Sequence, residues 1–152
     1  MIAVECFPDE LLVRSLGIPV AKVRHSRGSG NVLNDLLHGH AALGMIDEDP
    51  GKTRPADISR FVEQERQGSV VLMTSGKVAG GRLVMICPRL EEWLLARAKA
   101  AGVNPGDYGL PDTTKALRKL GRYERRPKFR AFLAALLAAD IEMQTLKKWL
   151  AG

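Results

Sequence analysis

Apolar and polar positions change period several times in the first 87 residues, and glycine, proline or a helix-capping residue marks each change. "IAVE" (2–5) is a short apolar run of the kind that makes a buried strand. "PDELLVRSLG" (8–17) carries Leu11, Leu12 and Leu16 on one side, Pro8 and two acids in its first turn and Gly17 as a stop, which predicts a short helix. "IPVAKVRH" (18–25) is a second strand, interrupted by Lys22 and Arg24. "SRGSGNVLNDLLHG" (26–39) is a glycine-rich turn feeding a helix with Val32, Leu33, Leu36 and Leu37 on its apolar side, and "AALGMI" (41–46) is a third strand. "PADISRFVEQERQG" (55–68) predicts a helix opened by Pro55 and closed by Gly68. "SVVLMTSG" (69–76) and "RLVMIC" (82–87) are two further strands, joined as a hairpin by a turn containing Gly80-Gly81.

Strands alternating with helices, with the strands apolar nearly throughout, predict an α/β fold: a mainly parallel sheet of four to five strands covered by helices on both faces. From residue 88 the pattern is helical. "PRLEEWLLARAKAAG" (88–102) is amphipathic, 103–112 is a Pro/Gly-rich connector, and Asp112 is placed to cap the helix that starts at "TTKALRKLG". Phe129, Phe132, Leu133, Leu136 and Leu137 recur at helical spacing, and Ile141, Leu146, Trp149 and Leu150 continue an apolar side after a break at Asp140. The expected organisation is an α/β domain over 1–102 and a basic helical C-terminal extension over 103–152 packed on it.

No window of the 152 residues approaches the roughly 18 consecutive apolar residues of a membrane span. The first ten residues lack the basic start and apolar core of a signal peptide, so a cytoplasmic protein without membrane contact is expected. Cys6 and Cys87 show no paired spacing and read as reduced residues at the edge of the core. The net charge of +6 is unevenly spread. Residues 113–152 hold ten Lys or Arg against three acids, and residues 1–112 hold thirteen against fourteen. The densest part, 118–130, contains Arg118, Lys119, Arg122, Arg125, Arg126, Lys128 and Arg130 with Tyr123 and Phe129 interleaved. Such a segment either attracts phosphate backbones without reading their sequence or is the solvated face of a helix pair.

The candidate chemistry lies in acids at strand ends. Carboxyl ends of parallel strands form the ligand crevice of such sheets, and Glu5 and the triplet Asp47, Glu48, Asp49 both stand there. If extended geometry persists through "DEDPG", Asp47 and Asp49 face one way and Glu48 the other. Two carboxylates on one side suit Mg²⁺; the alternative is a polar turn with one Asp capping the next helix. For Glu5 the structural alternative is a salt bridge, to Arg24 or Arg82. The glycine-rich "HSRGSGN" (25–31) can direct backbone N–H groups at an anion. His25, His38 and His40 have no metal spacing, and Thr74 and Ser75 read as strand-end caps.

This arrangement resembles the TOPRIM domain, the catalytic module shared by topoisomerases, bacterial primases and the nucleases of the overcoming-lysogenization-defect group. The likeness covers residues 1–87: "IAVE" offers Glu5 for the glutamate that ends the family's first strand, and "GMIDED" offers Asp47 and Asp49 for the Asp-x-Asp pair that ends its third. Cys6 stands where the family usually has glycine. The resemblance implies that Asp47 and Asp49 bind Mg²⁺ or Mn²⁺ and that Glu5 acts as general acid or base, or completes the metal shell, in phosphodiester chemistry. "CPRLEEWLL" also looks like a segment of small TOPRIM-like nucleases, which implies a further acid from Glu91 or Glu92.

The expected function is therefore that of a stand-alone, metal-dependent nuclease acting on DNA or RNA, with the basic 118–130 segment holding the substrate backbone. A partner ATPase in a defence or repair system is implied by the resemblance alone. Two rivals remain. One is a phosphatase of the haloacid-dehalogenase type, with Asp47 as nucleophile and Thr74, Ser75 and Lys77 in support. The other is a non-catalytic nucleic-acid or protein-binding module with a degenerate TOPRIM-like fold, whose acids are structural and whose C-terminal helices dock a partner or a second copy.

Overall fold

The computed structural model describes residues 1–76 and 81–152; Gly80 of the expected turn and Lys77 lie outside the described residues. Among these residues, strands β1 (Ile2–Val4), β2 (Val23–His25), β3 (Leu43–Asp47), β4 (Phe61–Gln67), β5 (Val70–Ser75) and β6 (Arg82–Ile86) form one sheet in the order β2-β1-β3-β6-β5-β4. β2, β1, β3 and β6 are parallel, and β5 and β4 extend the sheet antiparallel. The fold is thus α/β, but the sheet has six strands instead of the four to five expected, and it is mixed with a parallel centre, because β4 joins the antiparallel edge.

Alternation along the strands divides the core in two. Val4, Met45, Val84 and Ile86 point to one face, where they meet Leu12 and Val13 of α1 (Phe7–Ser15), Leu16 just after it, and Leu90, Trp93 and Leu94 of α3 (Leu90–Ala101). The same cluster takes in Leu117 of α4 (Thr114–Lys119), Phe129, Phe132 and Leu136 of α5 (Phe129–Ala139) and Met143, Leu146 and Trp149 of α6 (Ile141–Ala151). The apolar positions of α5 and α6 are therefore used inside the chain's own core. On the other face Ala3, Ile46, Leu83 and Met85 meet Val32, Leu33 and Leu36 of α2 (Ser29–Leu37). Gly44 lets α2 lie directly on β3, because a Cβ there would stand 2.7 Å from Val32 Cγ1. No helix is long and apolar enough to cross a membrane among the described residues.

Three expectations about elements are corrected. The helix expected over 55–68 is a 3-10 turn at Ala56–Arg60 followed by β4. Glu, Gln and Arg favour a helix locally, but Phe61–Gln67 can pair with β5, which would otherwise expose its whole backbone edge. Only Phe61 of β4 is deeply buried, so no alternation betrays the strand. The strand expected over 18–25 is confined to Val23–His25, after a 3-10 turn that follows Pro19. The cap of α4 is Thr113, whose Oγ1 accepts the Ala116 N–H at 3.3 Å, rather than Asp112. Asp140 closes α5 and caps α6 by accepting the Met143 N–H at 2.9 Å.

Candidate functional site

Parallel pairing puts the carboxyl ends of β2, β1, β3 and β6 side by side, and with them His25, Glu5, Asp47 and Ile86. Glu5 Oε1 accepts the backbone N–H of Asp47 at 3.1 Å, which ties the first acid to the end of β3. Neither expected salt bridge of Glu5 forms. Arg24 donates instead to Asp35 at 2.9 Å, and Arg82 begins β6 at the opposite edge. Asp47 Oδ2 accepts the N–H of Leu90 at 3.1 Å and so caps α3, while its Oδ1 is buried with no hydrogen-bond partner.

Asp49 departs from the expected geometry. β3 ends at Asp47, and Asp49 adopts a left-handed backbone with φ of 51°, so the alternation that would aim both aspartates alike is broken. Its Oδ1 accepts from Arg89 Nε at 2.8 Å and its Oδ2 pairs with Lys52 Nζ at 3.0 Å. Burial works to raise its pKa, but the hydrogen bonds and charges of Lys52 and Arg89 outweigh it and hold the carboxyl below the ordinary value. Glu48 faces Arg54 at 3.6 Å. Glu5, Asp47 and Asp49 nevertheless line one cavity, together with Lys52, Arg54 and the start of α2 at Gly28 and Ser29.

Two further acids complete the cluster. Asp9, read from the sequence as a first-turn acid of a helix, is 2% exposed and accepts from Cys6 Sγ at 3.1 Å. The signal for it was present: Asp9 is in phase with Leu12, Val13 and Leu16 on the buried side of α1. Glu91 accepts the Tyr123 hydroxyl at 3.1 Å and its charge reaches Asp9 and Asp47, whereas Glu92 turns to Arg89 at 2.8 Å. Burial, with Asp9 next in weight, pushes Asp47 up to about 8. Burial also lifts Asp9 to about 7, with the charges of Glu5 and Glu91 adding to it and the Cys6 thiol opposing, and burial raises Glu5. Carboxyls held near neutrality can give or take a proton at physiological pH.

Among the described residues, no group of three or more His, Cys, Asp or Glu side chains stands ready to hold a metal ion. The set of Glu5, Asp47 and Asp49 does not fit as a three-carboxylate site, because Asp49 is engaged by two cations. Glu5 with Asp47 does fit a hard cation, given hard oxygen donors and one unpartnered buried oxygen. Thr74 pairs with Arg82, which puts Thr74 and Ser75 at the opposite sheet edge from Asp47.

The seven cations of 118–130 are all exposed and form no ion pair among the described residues. Arg118 and Lys119 end α4, where the helix dipole welcomes them; Lys128 and Arg130 stand at the start of α5, where it does not. The Tyr123–Glu91 hydrogen bond joins this segment to the acid cluster. Comparison of the chain with models of protein families, with curated proteins and with solved structures finds no match.

Proposed function

We propose that the chain is a divalent-metal-dependent phosphodiesterase of TOPRIM-like design that cuts nucleic acid at the carboxyl edge of β1 and β3. The observation that carries this reading is the unpartnered, buried Oδ1 of Asp47 beside Glu5, in a cluster of carboxylates that makes no ion pair among the described residues. The start of α2 supports it from across the same cavity: its N-cap, Gly28, offers no side chain to the first N–H groups, which leaves them to face an anion. Carboxylate oxygens and anion-facing N–H groups around one cavity suit a phosphate with its counter-ion.

Mg²⁺ or Mn²⁺ held by Glu5 and Asp47 would polarise the phosphate and lower the pKa of an attacking water. Asp47 keeps the ligand oxygen in place through its other oxygen, which is fixed on α3. Asp9, buried behind the pair, takes up or returns a proton. Asp49 sets the crevice wall by holding Arg89 and Lys52, and the exposed cations of 118–130 hold the substrate backbone. The phosphatase alternative is disfavoured by Thr74 and Ser75, which cannot reach Asp47 from the opposite edge.

The test is a melting curve with and without millimolar Mn²⁺, run beside a cleavage assay on labelled single- and double-stranded substrates. Wild type is expected to gain about 2–3 kcal/mol when the cation is near 100 times its Kd and to cleave. Asp47→Asn is expected to lose both responses while remaining folded. A wild type indifferent to divalent cations in both assays would remove the reading, and turnover of an aryl phosphate would replace it with the phosphatase.

A further inference from the structure

We propose that Phe7, propped against His25 at the carboxyl edge, is a stacking platform for an unpaired base, so that the preferred partner is a single-stranded or unwound nucleic acid; this rests on the proposed nucleic-acid function. Phe7 is the aromatic residue among the large apolar side chains left exposed, at 56%. It lies nearly opposite Asp9 on α1, so it takes no part in the stripe that buries Leu12, Val13 and Leu16. A ring in that position adds little to packing, which makes its placement informative.

Three observations define the placement. The Phe7 ring meets His25 edge to face, with centroids 4.3 Å apart and planes at 63°, and the contact leaves more than half of Phe7 in water. His25 Nε2 in turn donates to the backbone carbonyl of Glu5 at 3.1 Å, which fixes the pair to the end of β1. Third, Phe7 lines a groove between α1 and the Tyr123–Arg125 turn, with Glu10, Leu11, Arg14, Glu124 and Arg125. Arg14 is balanced by Glu10 at 3.8 Å, but Arg125 has no ion-pair partner among the described residues.

His25 ends β2 and Asp47 ends β3, on either side of β1, so the strand end that props the platform and the strand end that carries Asp47 are separated laterally by about two strand spacings of roughly 4.8 Å each. That is a distance on the scale of a nucleotide. A strand whose base rests on Phe7 and whose phosphate is drawn by Arg125 and its neighbours can therefore present the next phosphate to Glu5 and Asp47. A duplex keeps its bases stacked on each other and gains nothing from the ring.

The experiment is binding by the full chain, in a chelating buffer, to labelled oligothymidylate and to a duplex of equal length, followed by anisotropy. Phe7→Ala is expected to weaken binding of the unpaired strand about tenfold, the effect of losing one stacked base, and to change duplex affinity less than twofold. Phe7→Trp is expected to keep the affinity and to show quenched emission on binding, a clean signal because Trp93 and Trp149 are 1% and 3% exposed. Equal affinity of wild type and Phe7→Ala for the unpaired strand, or emission of Phe7→Trp that does not respond, overturns the proposal. Because the readout needs no metal and no cleavage, failure of the phosphodiesterase reading shows separately in the Mn²⁺ assay. A wild type that binds neither strand overturns the platform and the nucleic-acid reading together.

Discussion

At the joint between α5 and α6, Asp140 and Glu142 are buried and fully engaged: Arg97 pairs with both, Trp93 Nε1 donates to Glu142 at 3.2 Å, and the Ser69 N–H donates to it at 2.8 Å. At the carboxyl edge, Glu5, Asp9, Asp47 and Glu91 gather with no cation in ion-pair distance among the described residues. Both groups pack against α3. Buried charge persists only where something compensates it. The first group is compensated within the chain; in the second, burial raises Asp9, Asp47 and Glu5 toward their protonated forms, and a divalent cation could take the place of those protons. The contrast separates acids that serve the fold from acids available for chemistry.

The largest effect is expected at the first group. Arg97→Met leaves two buried carboxylates without their cation and should cost about 3–5 kcal/mol, read as a shift of the urea midpoint with little change in slope. A cost under about 1 kcal/mol would erase the distinction between the two groups.

The second group should respond to pH in the opposite sense from a paired acid. Burial holds the carboxyls of Asp9 and Asp47 well above the ordinary value of 3.8, so from that value upward the folded chain binds more protons than the unfolded chain. As far as these two groups set it, stability without divalent cations is therefore greatest at and below about pH 4 and falls as the pH rises through neutrality. Asp9→Asn, which cannot ionise, should be stabilising by on the order of 1 kcal/mol or more at pH 8 and neutral at about pH 4. Melting curves at both pH values decide it, and a stability that rises with pH would mean that the cluster is already compensated.

The smallest effect belongs to Asp49. Its ion pairs with Arg89 and Lys52 are partly exposed, so Asp49→Asn should cost about 0.2–1 kcal/mol, with the loss shrinking in high salt. If the same substitution instead removes the Mn²⁺ response completely, Asp49 moves to the metal side of the comparison.

The apolar runs that became β1, β3, β5 and β6 were read within a residue or two, because strands buried on both faces leave continuous apolar sequence. The positions of Glu5 and Asp47 at strand ends were legible for a related reason: a carboxylate directly after such a run has to stand at the end of a buried strand. β4 was missed because an edge strand open to water has no obligatory pattern, and its pairing with β5 overrides local helix preference. Asp9 was missed because an acid in a first helical turn already has a local explanation in the dipole.

What the chain's sequence determines by itself is therefore the periodicity of burial, the positions where it stops, and the uneven distribution of charge. Tertiary structure alone decides which neighbour each polar group meets at those positions. It turned Asp49 toward Arg89 through a left-handed residue, brought Asp9 and Glu91 behind Asp47 from two different helices, and hung the basic turn beside them through Tyr123. The physical reason is range. Burial is imprinted on each residue's own hydrophobicity, whereas a carboxylate's protonation and partners depend on groups brought within a few ångströms from distant parts of the chain.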